Sequence, residues 1–162
     1  TLLSNTKMIA YPVIRKRLSF WEVGQIELVK VLSLIIVVFM AFKLVKKLDK
    51  VFSIWVRSHG ADYRGFVVCY TCEKEKHWKE VDAGHFQTRS KYSTRWHEKN
   101  VKPQCKHCNM TNGGHQYEFA QHLDREYGEG TAAHIVDLGN TIMKISTPEL
   151  NELIEKYINE IK

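Results

Sequence analysis

Cys69-Tyr70-Thr71-Cys72 and Cys105-Lys106-His107-Cys108-Asn109 are the two stretches whose reading decides the fold. They hold all four cysteines of the 162-residue chain and are separated by 32 residues. Two cysteines three positions apart can wrap a tight turn around one metal ion, and four thiolates are a preferred set for a closed tetrahedral zinc site. A secreted disulfide scaffold spreads its cysteines more widely; matched CxxC pairs point to a metal site in a reducing compartment. The alternative is four buried free cysteines. A compact ribbon separates its pairs by about 15–20 residues. The longer segment here must therefore carry structure of its own, and metal binding would contribute directly to folding.

Working outward, Phe66–Cys69 reads as a short strand entering the first knuckle. Val81–Phe86 reads as a second strand, with Glu73–Lys79 as the hairpin between them. Residues 88–103 are polar and without period, so they read as loop. A helix is expected from Lys106, broken at Gly113-Gly114, resuming over Gln116–Tyr127 and stopped by Gly128. Before the first knuckle, Leu44, Leu48, Val51, Phe52 and Trp55 recur at helical spacing over 43–58. After the second, Ser146-Thr147-Pro148-Glu149 supplies a cap, a first-turn proline and an acid near the positive end of the helix dipole. The stripe Leu150, Leu153, Ile154, Tyr157, Ile158 and Ile161 that follows is expected to pack on the domain. The fold class expected is α+β.

Three groups stand in order in and after the inter-knuckle segment: Asp82-Ala83-Gly84-His85-Phe86 with Arg89; Glu98-Lys99-Asn100-Val101; and Gln104-Cys105 through Asn109, then Asn112-Gly113-Gly114-His115 and Tyr117. A strand-end His, a loop Asn and an Asn opening the next helix give the order of the HNH signature. With the CxxC pairs, the layout resembles a ββα-metal core carrying a four-cysteine zinc site, flanked by helices. Residues from about Leu48 to Tyr127-Gly128 also resemble the phage NinG (Rap) recombination family, on the pieces just quoted. The CxxC-Asn-helix portion further resembles endonuclease VII-type junction resolvases. These resemblances imply a structure-specific DNA endonuclease acting on branched recombination intermediates such as Holliday junctions or D-loops. Its setting would be the cytoplasm of a bacterial host. Many HNH enzymes place Asp directly before the catalytic His, where this chain has Gly84. Asp82 lies on the same side of an extended strand as position 84, and so is placed to substitute. The related pattern has Asn where this chain has His115.

A phosphodiester repels nucleophiles and has a poor leaving group, so its hydrolysis needs a base and a cation at the phosphate. His85 is assigned as general base, its ordinary pKa near 6.5 leaving it mostly neutral at cellular pH. A Mg²⁺ or Mn²⁺ ion is assigned to Asp82 and Asn109, with Asn112 or His115 as further candidates. Asn100 is expected to tie the loop near the site, and Arg89 to clamp phosphate. Each group has a plainer alternative: an isolated His85 is most often a core or surface histidine, and an isolated Asn109 a helix cap. Two other readings share parts of the pattern, a zinc-ribbon DNA-binding protein without cleavage and an HNH nicking or restriction-type enzyme. The absence of a recognisable base-reading domain favours shape reading. A homodimer would suit paired cuts at a junction.

The composition, 44% hydrophobic and 26% charged, is that of an ordinary folded domain. The net charge is +6, and its distribution is uneven. Residues 85–108 hold Arg89, Lys91, Arg95, Lys99, Lys102 and Lys106 against Glu98 alone, a candidate DNA-contacting block. Residues 1–42 form a leader with an apolar run at 31–42, short of the roughly 20 residues that cross a bilayer. It is readable as a buried or dispensable leader, as a membrane anchor over 26–47, or as a signal peptide without a cleavage site. Residues 1–39 are also readable as translation upstream of a start at Met40. The expected organisation is thus leader 1–42, nuclease domain 43–130 and helical extension 131–162.

Overall fold

A computed structural model describes residues 20–161. The leader expected over 1–42 is described only from residue 20; residues 1–19 lie outside the described residues. The element order is α1 (Phe20–Ser58), β1 (Phe66–Val68), β2 (Glu75–His77), a 3-10 turn (Trp78–Glu80), β3 (Val81–His85), β4 (Val101–Cys105), α2 (Lys106–Met110), α3 (Asn112–Tyr127), α4 (Thr131–Gly139) and α5 (Thr147–Glu160). The architecture is mixed α+β. The chain divides between Phe39 and Met40 into two compact units.

In the first unit the described residues are helical. The apolar run 31–42, which straddles the division, is exposed rather than buried, with Leu34 64% and Val37 63% exposed. The segment Glu27–Ser58 of α1 is long and apolar enough to cross a membrane by length and composition.

The second unit holds two antiparallel ribbons, β1 with β2 and β3 with β4. This corrects the expected pairing of Phe66–Cys69 with Val81–Phe86. Residues 75–77 turn straight back on β1, with Phe66 opposite His77. β3 instead pairs with 101–105, where a loop was expected up to 103. Pro103 sits inside β4 and, lacking an N–H, disguises it; its carbonyl accepts from Tyr70 N at 2.8 Å.

Two apolar clusters flank the β3–β4 ribbon. On one side Val45, Leu48, Phe52, Trp55 and Val56 of α1 pack with Leu150, Ile154 and Tyr157 of α5, Trp96 and Val101. Phe52, Trp55 and Tyr157 meet with ring centroids 4.8–5.8 Å apart. The helical extension at 131–162 therefore supplies part of the core. Its last helix starts as the sequence indicates, with a full capping box between Ser146 and Glu149 and a proline in the first turn. In the other cluster Phe86 packs with Phe119 and Leu123 of α3 and Ala132 and Ile135 of α4.

Candidate functional site

The two knuckles converge. The Sγ atoms of Cys69, Cys72, Cys105 and Cys108 all lie within 4.8 Å of one another. A tetrahedral site with Zn–S bonds of about 2.3 Å requires sulfurs about 3.8 Å apart, and Cys72 and Cys105 are 3.9 Å apart. The four cysteines can hold a structural metal such as zinc. Burial raises the Cys69 thiol, but the N–H groups of Cys105, Cys72 and Thr71 outweigh it and pull the pKa down to about 6. Cys69 is thus prepared as thiolate, the ligating form.

The clip places α2 directly after β4, against the face of the ribbon that carries Asp82, Gly84 and Gln104. On that face Asn109 Nδ2 donates to Asp82 Oδ2 at 3.1 Å. The helix is then broken by three successive left-handed residues: Gly113 (φ 61°), Gly114 (φ 84°) and His115 (φ 54°). Two glycines adopt this at little cost, whereas His115 is strained there. His115 Nδ1 lies 3.6 Å from Glu118 Oε2, its Nε2 is buried without a hydrogen-bond partner, and its ring is 6.4 Å from that of His107. Asn112 opens α3; its side chain lies outside the described residues.

His85 ends β3 on the alternate face from Asp82. Its Nδ1 is 3.1 Å from Ala83 O and its Nε2 3.1 Å from Arg95 O. Among the described residues no hydrogen bond links the ring to Asp82 or Asn109. Burial lowers its pKa, against the two carbonyls, which favour the protonated ring. Asn100 is fully buried and acts as the expected tie: Oδ1 accepts from Gln87 N at 2.6 Å, and Nδ2 donates to Gln87 O at 3.0 Å and Thr94 O at 2.9 Å. These bonds hold the 86–100 loop so that Arg95 O meets the His85 ring.

A family model described as "Bacteriophage Lambda NinG protein" matches residues 39–162. The chain belongs to the NinG family. The match begins one residue before the second compact unit and leaves residues 1–38 outside. No curated protein and no solved structure matches.

The basic block of this NinG-family chain is less free than its composition suggests. Arg95, expected at the DNA surface, is largely covered and grips Asp49 through Nε at 2.9 Å and Nη2 at 2.6 Å. Trp96 Nε1 and Arg89 Nη2 add bonds to the same carboxylate, both at 3.0 Å. Burial alone raises the Asp49 pKa, yet Arg95, Arg89 and Trp96 bring it below the ordinary value. Lys102, also expected at that surface, is mostly covered and engages Glu126 at 3.3 Å and the Tyr127 hydroxyl. Lys91 donates to Asn140, and Lys99 lies 4.6 Å over the Tyr127 ring. Arg89 and Lys106 are exposed. Three residues assigned no role of their own from sequence hold the site together: Asp49, Thr71 and Gln104. Asp49 was legible only as an acid placed between core positions 48 and 52, Thr71 only by adjacency to cysteines, and Gln104 only as a position of the segment that carries the family resemblance.

Proposed function

We propose that this chain is a metal-dependent, structure-specific DNA endonuclease of the HNH (ββα-metal) kind, hydrolysing phosphodiester bonds in branched recombination intermediates. The observation that carries the reading is the meeting of Asp82 and Asn109 at 3.1 Å across 27 residues of sequence. A strand carboxylate and the amide next to the last zinc-type cysteine carry oxygens of the kind that suits Mg²⁺ or Mn²⁺; the amide here presents Nδ2 to Asp82, and a bound cation would take its Oδ1 instead. The succession β3–β4–α2 with a four-thiolate clip supports the same core. Such a cation, when bound, would stabilise charge on the phosphate and on the leaving oxygen.

The chain's own residues supply the rest. With Nε2–H donating to Arg95 O, the lone pair of His85 lies on Nδ1, where it can take a proton from water. The ring then becomes an imidazolium flanked by two carbonyl acceptors, Ala83 O and Arg95 O, each at 3.1 Å. Those acceptors stabilise the charged product of proton abstraction, and burial keeps the resting ring neutral. Asn100 acts through the loop it ties. Arg89, 59% exposed although it also reaches Asp49, and Lys106 are the exposed cations offered to phosphate. His115, Asn112, Lys91 and Lys99 are secondary candidates for cation or DNA contacts.

A zinc-stapled DNA-binding protein without cleavage is the second reading. It is favoured by the placing of a backbone carbonyl, rather than a carboxylate or the Asp82–Asn109 pair, against each His85 nitrogen. The deciding experiment incubates the protein with Mg²⁺ or Mn²⁺ and labelled four-way junction, D-loop, flap and linear duplex, beside His85→Ala. The nuclease reading expects cuts at branched substrates, and their loss in the variant with DNA binding kept. Binding of junctions with no cleavage by the unaltered protein in either metal would establish the second reading instead.

A further inference from the structure

We propose that Gln104 Oε1 is a third protein oxygen of the divalent-cation site, beside Asp82 and Asn109, and that position 84 is glycine so that this oxygen has room. The assignment rests on the hydrolytic reading above and names a ligand that reading lacks.

Gln104 is fully buried on β4, directly opposite Asp82 in the β3–β4 register. Residues paired across a ribbon point to the same face, so Gln104 shares the face of Asp82 and Gly84. The orientation of its amide is fixed by its neighbours. Gly114 O is an acceptor and requires a donor, and Nε2 supplies it at 2.9 Å. The same nitrogen lies 3.2 Å from Thr71 Oγ1. Both amide hydrogens are therefore committed, and Oε1 is turned to the opposite side. There it is buried without a hydrogen-bond partner among the described residues. An unmet buried acceptor costs about 1–3 kcal/mol, so an oxygen held this way calls for a positive partner.

Gly84 marks where Oε1 lies. A Cβ at position 84 would stand 1.9 Å from Oε1, 2.6 Å from Cδ and 2.8 Å from Cγ of Gln104. The amide thus fills the space of the missing side chain. Backbone conformation does not demand glycine there, because Gly84 is not among the positive-φ residues. The demand is spatial. The position from which a carboxylate would otherwise project is occupied by an amide oxygen delivered from the neighbouring strand. On the helix side, a Cβ at Gly114 would stand 3.3 Å from Gln116 Nε2, 3.9 Å from the backbone oxygen of Asn109 and 4.0 Å from Oε1. Oε1 therefore lies towards the break between α2 and α3, the turn that follows Asn109. One carboxylate and two amide oxygens leave room for the several waters that Mg²⁺ and Mn²⁺ keep.

The test measures Mn²⁺ binding to the zinc-loaded full chain by electron paramagnetic resonance of free Mn²⁺, in the unaltered protein, Asp82→Asn, Gln104→Met and Gln104→Glu. Zinc content and thermal unfolding are followed in parallel, and junction cleavage is assayed separately. Gln104→Met keeps the length and removes the oxygen; it should weaken Mn²⁺ binding about 10-fold or more while zinc stays bound. Gln104→Glu puts an anionic oxygen on the same stem and should tighten it several-fold. If Gln104→Met fails to retain zinc, Gln104→Glu alone decides: tighter binding supports the assignment, equal or weaker binding overturns it. Unchanged affinity in Gln104→Met with weakened affinity in Asp82→Asn would mean that Oε1 meets only a buried water. The assignment would then fall while the hydrolytic reading stands. Unaltered protein that neither binds Mn²⁺ nor cuts DNA would remove both.

Discussion

Asn100→Ala should destabilise the domain severely, and the cost can be worked bond by bond. The side chain is fully buried and makes three hydrogen bonds. Thr94 O keeps a second donor, His97 N, at 3.1 Å, so its loss counts as an ordinary net bond of about 1 kcal/mol. The N–H and C=O of Gln87 have no other hydrogen-bond partner among the described residues. Left unmet, each costs about 1–3 kcal/mol. The total is about 3 kcal/mol if water enters and about 7 if it does not, against a typical domain stability of about 5–15 kcal/mol. Urea unfolding at neutral pH with zinc saturating measures it. A loss below about 1 kcal/mol would refute the reasoning, because it would mean the 86–100 loop is held by something else. Asn100→Asp sharpens the test. It keeps the acceptor for Gln87 N but sets a carboxylate oxygen against two carbonyls, which raises the folded pKa above the unfolded value of about 3.9. The folded state then binds more protons than the unfolded chain. The variant's deficit should grow as pH rises from about 3.9 to its folded pKa and stay constant above it.

Chelation of zinc should abolish cooperative unfolding and near-ultraviolet circular dichroism of the domain, since the clip joins the first knuckle to β4; a retained transition in metal-free protein would exclude a structural metal. Asp49→Asn should cost about 3 kcal/mol at pH 7, because Arg95 is left covered without its counter-charge. Asp49 has a depressed folded pKa, so its contribution is present above the unfolded pKa and is lost as pH falls through the folded one. The two proteins should therefore converge in urea titrations at acid pH, and a gap that persists there would show that packing, not charge, holds the pair. Arg89→Ala and Lys106→Ala should each lower the salt slope of DNA binding by about 1 with little loss of stability. Arg95→Ala should instead act chiefly on stability; a large change in salt slope with unaltered unfolding would put Arg95 on DNA after all.

Much of the fold was legible where local chemistry and packing agree. The α5 start needs only Ser146, Pro148 and Glu149, whose capping box is set by residues three apart. The break in the helix after the second knuckle is written in Gly113-Gly114, and the clip in the cysteine spacing. The strands were harder. β4 reads Val-Lys-Pro-Gln-Cys, and its buried positions are Val101 and Gln104, which show no alternation of apolar and polar residues. β2 is Glu75-Lys76-His77 with no buried position, so periodicity cannot find it, and β1 was assigned to the wrong partner in consequence. At the site, Asp82 and Asn109 meet across 27 residues, whereas His85 lies on the alternate face of the ribbon against Ala83 O and Arg95 O. The part invisible in sequence is long-range polar pairing: Asp49 with Arg95 across 46 residues and Gln104 with Thr71 across 33.

The pairing register connects these features. A slip of one residue between β3 and β4 would turn every side chain of one strand to the other face. Asp82 would then point at α1 and α5, away from Asn109, and no cation site would form. Two independent devices oppose that slip. Cys69 Sγ accepts the Cys105 N–H at 3.2 Å, and a metal on the four thiolates would fix Cys105 opposite Val81. Next along β4, the Gln104 amide occupies space that only a glycine at 84 leaves open. In the shifted register Ala83 or His85 would meet it with a Cβ. The clip on the sulfur side and the Gly84 gap on the amide side thus select the same alignment. The candidate site depends on both. A glycine beside the proposed base, which reads in sequence as a missing carboxylate, is in the structure the condition for the face that carries Asp82.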